Sequence, residues 1–370
     1  MKKLVVMYTV DRTNPKGTWS GTSYSLTNAL RKKFDISFID LHEGIILIFI
    51  KRLKSHVHGS IQPIVGMLYD KILEWKAAFL LRNYKGIPVL EIANEVKIRK
   101  PYYIYQDLSL AVLSQESQKL RKLGIAGGGI RIDWSENELK RKISIQKYIY
   151  DTVEASFFMG NWVSDRMKLL YPELKDKFHF AGGGINEEFK LPKSLSINDK
   201  EQIILFIGID FERKGGDLVL NAFCRMREIY HSKAQLYIAG PDNLNVSKFQ
   251  GVHFLGKISR EQLSEILKKS TVFCMPSRFE AYGLVFPEAM CYGNLCIGRN
   301  CYEMPYFIEK DFGQLIESDE IDILAEKMHA LLQDKKALKK AINSAPEKRD
   351  YYSWEAVAER ISKVINALPE

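Results

Sequence analysis

Glu280 and Glu288 stand eight positions apart in the segment Met275-Pro-Ser-Arg-Phe-Glu-Ala-Tyr-Gly-Leu-Val-Phe-Pro-Glu-Ala-Met290. Two carboxylates so placed look like a catalytic pair. The apolar run Thr271 to Met275 leads into the segment, and Pro287 suits the first turn of a following helix, where a missing N–H does no harm. Glu288 then falls in that first turn. Between the acids lies Tyr282-Gly283-Leu284, whose amides stand near the helix N-terminus, where partial positive charge favours an anion such as a diphosphate. Taken alone, the pair also fits a plainer reading, a surface loop residue and a first-turn acid that complements the helix dipole.

A basic pair occupies a comparable place. Gly208-Ile-Asp-Phe-Glu-Arg-Lys-Gly-Gly-Asp217 follows an apolar strand and precedes a helical pattern. Its side chains therefore emerge at the carboxyl edge of a sheet, where open α/β folds bind ligands. Arg213 and Lys214 are candidates to meet phosphates there. The bland alternative is an exposed pair of charges that contributes little.

The elements that must position these groups are legible as alternating apolar runs and helical periodicity. Leu4 to Val10, Asp35 to Asp40, Ile87 to Leu90, Tyr102 to Tyr105, Ala155 to Met159 and Phe178 to Ala181 read as strands, with Thr22 to Lys33 the first helix. After a polar, linker-like stretch from Pro192 to Lys200, a second series of strands begins: Gln202 to Gly208, Ala234 to Ala239, Val252 to Leu255, Thr271 to Met275 and Asn294 to Gly298. Helical patterns run from Gly216 to His231, Ser259 to Lys269 and Trp354 to Leu368. Strands alternating with helices predict parallel α/β layers, and 370 residues exceed what one core usually sustains, so two domains are expected.

Charge is unevenly divided. The chain carries a net +9, yet Met1 to Lys190 holds 30 Lys+Arg against 20 Asp+Glu, so the excess lies in the first half. No nucleic-acid module accompanies it, which argues against that partner. The segment from Gly44 to Lys85 mixes bulky apolar residues with Lys51, Arg52, Lys54, Lys71, Lys76, Arg82 and Lys85 against Asp70 and Glu74. That mixture suits either a core helix with a solvated face or a surface lying on anionic lipid. The five cysteines, 224, 274, 291, 296 and 301, form no zinc spacing, and buried thiols in a reducing compartment are expected rather than disulfides or a structural metal. The start, Met1 to Val10, reads as a buried strand rather than a signal peptide, because Asp11-Arg12 interrupts it.

The string Pro-Ser-Arg-Phe-Glu-Ala-Tyr-Gly-Leu-x-x-Pro-Glu-Ala-Met-x-x-Gly, from Pro276 to Gly293, resembles the E-x7-E signature of retaining glycosyltransferases of family four. The resemblance implies the GT-B fold: two Rossmann-like domains with parallel sheets facing across a cleft, and a terminal helix crossing back to the first. The expected divisions are 1–191 on the acceptor side, 192–352 on the nucleotide-sugar side, and 353–370 for the returning helix, whose usual start Tyr352-Ser353-Trp354-Glu355 resembles. It further implies Glu280 near the transferring sugar, Glu288 on the ribose, and the amides of Tyr282, Gly283 and Leu284 on the diphosphate. Arg213 and Lys214 match the basic pair that contacts the diphosphate, although many members carry an arginine where this chain has Ile209.

In the first half, Pro15 to Ser23 resembles the small-residue loop brought against the donor phosphates, with Gly21 allowing close approach and Ser20, Thr22 or Ser23 available as helix caps. Asp107 matches an aspartate that follows a sugar-side histidine in many relatives; here Gln106 replaces the histidine. Gly183 to Asn186, with Phe189, resembles the turn that closes the first domain. The expected activity is metal-independent, retaining transfer from a nucleotide-diphosphate sugar to a glycan or lipid-linked acceptor, with no cofactor, in cell-surface polysaccharide or glycolipid synthesis; the expected place is the cytoplasm, with the inner face of the membrane as its alternative. A sugar phosphorylase, a sugar-nucleotide hydrolase and a non-catalytic subunit on the same fold stay open as alternatives.

Overall fold

The computed structural model describes all residues except 43, 57–60, 94–95, 99–100, 123, 125–134, 187–190, 193, 245–248, 309–311 and 368–370. Phe189 lies outside the described residues. Two compact units emerge. One comprises Met1–Glu116, Asp133–Gly184 and Trp354–Glu370, the other Ser117–Ile132 and Ile185–Ser353.

The first unit contains β1 (Lys3–Tyr8), α1 (Thr22–Leu30), β2 (Asp35–Asp40), α2 (Ile45–His56), α3 (Ile61–Leu81), β3 (Val89–Ile92), β4 (Tyr102–Gln106), the start of α4 (Leu110–Lys122), α5 (Glu136–Thr152), β5 (Ala155–Phe158), α6 (Asn161–Leu170) and β6 (Phe178–Phe180). Its six strands lie in the order β2-β1-β3-β4-β5-β6, every pairing parallel. β1 registers Lys3 on Asp35 and Tyr8 on Asp40. Strands covered on both faces read as near-continuous apolar runs. β1, β3, β4 and β5 are almost wholly buried accordingly.

The second unit contains β7 (Glu201–Ile207), α7 (Gly216–Tyr230), β8 (Gln235–Ala239), β9 (Val252–Gly256), α8 (Arg260–Lys269), β10 (Ser270–Cys274), α9 (Val285–Cys291), β11 (Leu295–Arg299), α10 (Met304–Phe307), β12 (Gly313–Ile316), α11 (Ile321–Gln333) and α12 (Lys335–Tyr351). The strand order is β12-β11-β10-β7-β8-β9, again all parallel. α13 (Trp354–Ala367) belongs to the first unit, where it packs on α1 through Val357, Ile361 and Ile365, with Lys32 bonded to Glu355 at 2.5 Å. The expected α/β architecture of two parallel sheets is therefore present, and the helix that ends the chain does return to the first sheet's unit.

Three local departures have physical causes. The predicted linker after Pro192 is not loose throughout: Ser196 and Asp199 form a capping box, and Lys200 donates to the carbonyls of Leu267, Ser270 and Tyr292 at 3.2, 2.9 and 2.7 Å. Burial pushes the Lys200 ammonium down to about 7. No hydroxyl caps α1; Gly21 is its N-cap, in a left-handed conformation at φ 85°. Ser20, Thr22 and Ser23 therefore do not fill the capping role that their side chains suggest. Finally β12, Gly-Gln-Leu-Ile, is too short to announce itself by periodicity and forms because β11 offers it an edge.

Candidate functional site

The second sheet reverses its winding between β7 and β10: the chain runs from β7 outward to β8 and β9, then returns to β10 and proceeds to β11 and β12. Loops at the carboxyl ends of two strands flanking such a reversal part from one another and leave a crevice. The loop 208–215 leaves β7 and the loop 275–284 leaves β10. These two loops carry Arg213, Lys214, Glu280, Tyr282, Gly283 and Leu284.

Close packing holds them together. Gly215 has φ 76°, and a Cβ there would sit 2.6 Å from the carbonyl oxygen of Pro276, so only glycine lets the two loops touch. The amide of Arg278 donates to the Arg213 carbonyl at 2.8 Å. The Arg278 guanidinium grips Asp217 with two bonds of 2.7 and 2.8 Å, reaches the Glu212 carbonyl at 2.5 Å and meets Asp319 at 3.2 Å. Asp319 also receives Arg299 from the end of β11. Arg278 and Arg299 keep the Asp319 carboxyl below its ordinary range, against the opposing effect of burial. Planar guanidinium forks give this lattice a defined geometry.

Lys214 and Glu280 form an ion pair, with side chains only 14% and 9% exposed. Ser277 Oγ lies 3.4 Å from the same carboxylate oxygen. The pair thus stands with little water around it, where electrostatic effects are strong. Arg213 is buried: its Nε donates to Asp210 at 2.8 Å and Nη1 to the Phe279 carbonyl at 3.0 Å. Nη2 takes part in neither bond. Ile209, where many family-four sequences carry arginine, is 69% exposed.

Glu288 sits in the first turn of the seven-residue α9 and is buried on the side of α8. Arg260 approaches its Oε1 at 3.7 Å, while Oε2 finds no hydrogen-bond partner among the described residues. Burial raises this carboxyl to about 7, and Arg260 offsets only part of the effect. A buried polar atom without a partner is uncommon and calls for a reason, and perturbed carboxyls cluster at functional sites. Between the acids, Gly283 adopts φ 95°, where a Cβ would press on Glu280 Cγ at 3.1 Å and Phe286 Cδ2 at 3.3 Å. Tyr282 is buried edge-on against Phe307, at 5.1 Å between ring centres.

In the first unit the winding reverses between β1 and β3. The loop after β1 carries Trp19, Ser20 and Gly21 at positive φ of 47°, 55° and 85°. Consecutive left-handed residues store strain that the surroundings must hold; Trp19 is braced edge-on against Tyr105 at 5.9 Å. Gln106, the last residue of β4, is buried and donates to Tyr150 Oη at 2.6 Å. Asp107 is half-buried just beyond it, while Ser109 Oγ accepts from the amide of Ala111 at the start of α4.

Two members of the second-unit site escaped sequence reading. Arg278 is the second residue before Glu280 and looks like any loop arginine; its role comes from Asp217 and Asp319, distant in sequence. Arg260 opens an ordinary amphipathic helix, where the capping box of Ser259 and Gln262 was the stronger signal.

Residues 187–348 match the family model described as Glycosyl transferases group 1. The chain is 23% identical over 307 residues to an uncharacterized glycosyltransferase of Methanocaldococcus jannaschii, covering 79% of this chain and 73% of that one. It is 26% identical over 195 residues to a GDP-mannose-dependent phosphatidylinositol monomannoside mannosyltransferase of Corynebacterium glutamicum, covering 48% of this chain and 50% of that protein. Beyond the archaeal relative, then, the match spans about half the length of such curated proteins. Among solved structures, WaaG, a glycosyltransferase of lipopolysaccharide biosynthesis, aligns over 99% of this chain and 100% of its own with a TM-score of 0.65 at 14% identity. HepE of Anabaena, solved with UDP and glucose, aligns over 100% of both chains, also at 0.65, with 12% identity. The fold is that of the GT-B glycosyltransferases, and the stretch 187–348, which includes both site loops, is similar in sequence to glycosyltransferases of group 1.

Proposed function

We propose that this protein is a retaining glycosyltransferase that moves a sugar from a nucleotide-diphosphate donor to a glycan or lipid-linked acceptor. The observation that carries the reading is the meeting of Lys214 and Glu280 at the reversal point of the second sheet, with Glu288 Oε2, which has no hydrogen-bond partner among the described residues, beyond the Gly283 turn. Relatives named for transfer to phosphatidylinositol monomannoside and to phosphatidylinositol support an acceptor of this class.

In this reading the donor diphosphate takes Lys214 Nζ and the remaining Arg213 nitrogen, and the amides of Tyr282, Gly283 and Leu284. Glu288 accepts from the ribose hydroxyls. Glu280, released from part of its bond to Lys214, faces the sugar and stabilises its developing positive charge. Charges fixed before the reaction stabilise the departing diphosphate without reorganising. Glu280 is assigned to positioning and charge and forms no bond to the sugar. A phosphate oxygen of the donor receives the acceptor proton, and attack from the leaving-group face retains configuration. Lys214 and Arg213 supply the cationic charge, so turnover is expected to survive a chelator. Gly21, Gln106 and Asp107 are assigned to the donor-phosphate and sugar sides.

The test is slow hydrolysis of a panel of UDP-, GDP- and ADP-sugars by purified protein, with the anomer of the released sugar followed by NMR. One donor should be cleaved with its configuration kept, and Glu280→Ala and Lys214→Ala should abolish cleavage. Turnover unchanged in both variants, or release of the inverted anomer, would sink the proposal.

A further inference from the structure

The pair of helices α2 and α3 in the first unit presents apolar side chains outward, opposite to the usual arrangement. Along α3, Ile64, Met67, Leu68, Lys71, Trp75, Ala78 and Phe79 recur at three- and four-residue steps and are all exposed, with Trp75 at 71% and Phe79 at 61%. The other face, through Val65, Ala77 and Leu81, turns to the core. α2, packed on α3, repeats the pattern: Leu47 and Ile50 are buried, while Ile46, Phe49 and Leu53 face outward, the first two at 68% and 66% exposure. The α3 row is about 22 Å long at 1.5 Å per residue from Ile64 to Phe79. Contiguous exposed apolar surface of this extent marks an interaction site.

Charge identifies what covers it. The outward rows hold exposed Arg52 and Lys71, and exposed Arg82 and Lys85 follow α3. The Arg82 guanidinium lies 3.7 Å over the Phe79 ring, so apolar and cationic groups share one surface. Both acids of α3 are paired: Asp70 is bonded to Arg141 of α5 at 2.7 Å, and Glu74 accepts from Lys71 at 3.1 Å, which leaves Arg52, Arg82 and Lys85 as the cations of the rim that neither acid meets. A cationic rim with apolar rows between fits a lipid surface bearing negative headgroups, with rings at the acyl boundary and cations at the phosphates. No helix among the described residues is long and apolar enough to cross a membrane. We propose that α2 and α3 dock this protein in the interface of an anionic membrane, with Trp75, Phe79, Phe49 and Ile46 inserted. The proposal stands on this surface alone and does not depend on the activity assigned to the second unit.

Flotation of the full chain with phosphatidylcholine vesicles, with and without phosphatidylglycerol as the anionic lipid, tests it. The protein should float with the anionic vesicles and far less with the neutral ones. Trp75→Ser and Phe79→Ser should each weaken flotation roughly tenfold, the scale set by withdrawing one aromatic side chain from burial. Their melting midpoints should match the parent, because both rings are exposed in the free protein. Brominated lipid should quench the parent more than Trp75→Phe. Three results would overturn the proposal: no flotation with anionic vesicles, flotation unaltered in the double variant, or a stable lipid-free oligomer that the double variant dissociates, which would make a second copy the occupant.

Discussion

Replacing Glu288 by glutamine separates what this side chain does for the fold from what it does for a ligand. Burial raises its carboxyl from an ordinary value of 4.5 to about 7. At 1.36 kcal/mol per pH unit that gap corresponds to about 3 kcal/mol. The sign follows from proton uptake. Below pH 4.5 the group is protonated in both states and costs nothing; between 4.5 and 7 the unfolded chain ionises while the folded one holds its proton, so stability falls with rising pH and levels off above about 7.

Glutamine has no such titration but keeps an unpaired polar group, so the net gain at pH 8 is expected to be about 1 to 3 kcal/mol. Melting followed by circular dichroism at pH 5 and pH 8 reads it, at roughly 2–4 °C per kcal/mol for a unit of this size. The variant should melt several degrees above the parent at pH 8 and close to it at pH 5. Donor binding should weaken roughly tenfold or more, because neutral acceptors hold hydroxyl donors less tightly than carboxylates. A variant that melts below the parent at pH 8, or by the same offset at both pH values, would refute the claim that Glu288 is an uncompensated buried acid kept for a ligand.

The other expectations follow from the same geometry. Lys214→Met leaves Glu280 buried and unpaired, so it should lower stability by about 3–5 kcal/mol as well as activity, whereas the double variant Lys214→Met/Glu280→Gln should recover most of the melting temperature and none of the donor cleavage. Gly283→Ala places a side chain at φ 95° and against Glu280; about 1–3 kcal/mol of strain should appear in thermal melts, with a larger fractional loss of donor cleavage because Glu280 is what moves. Arg278→Ala removes the bonds to Asp217 and Asp319, and the loosened loops should raise KM for the donor more than they lower kcat. A fall confined to kcat, with KM unchanged, would show that Arg278 acts in the chemistry rather than on loop geometry.

Much of this protein was determined by its sequence. Short apolar runs place β1 and β3 to β11 within one or two residues, and alternation places β2; the strands covered on both faces, such as β1, β4, β5 and β10, leave the plainest runs. Pro287, Gly283 and the two glutamates are readable for the same reason: turns and helix starts are local chemistry, settled by residues a few positions apart. What the tertiary structure alone decided is which distant groups meet. Lys214 and Glu280 are 66 positions apart and touch because β7 and β10 are neighbours in the sheet, an order that no local periodicity encodes. Arg278 becomes a clamp only when Asp217 and Asp319 arrive from α7 and from beyond β12. The outward face of α3 is likewise undecidable from its own amphipathic pattern, since a helix with apolar residues on two sides can bury either, and the packing of the rest of the unit chooses. Partners at long range depend on strand order and layer packing, and those exist only once the chain has closed on itself.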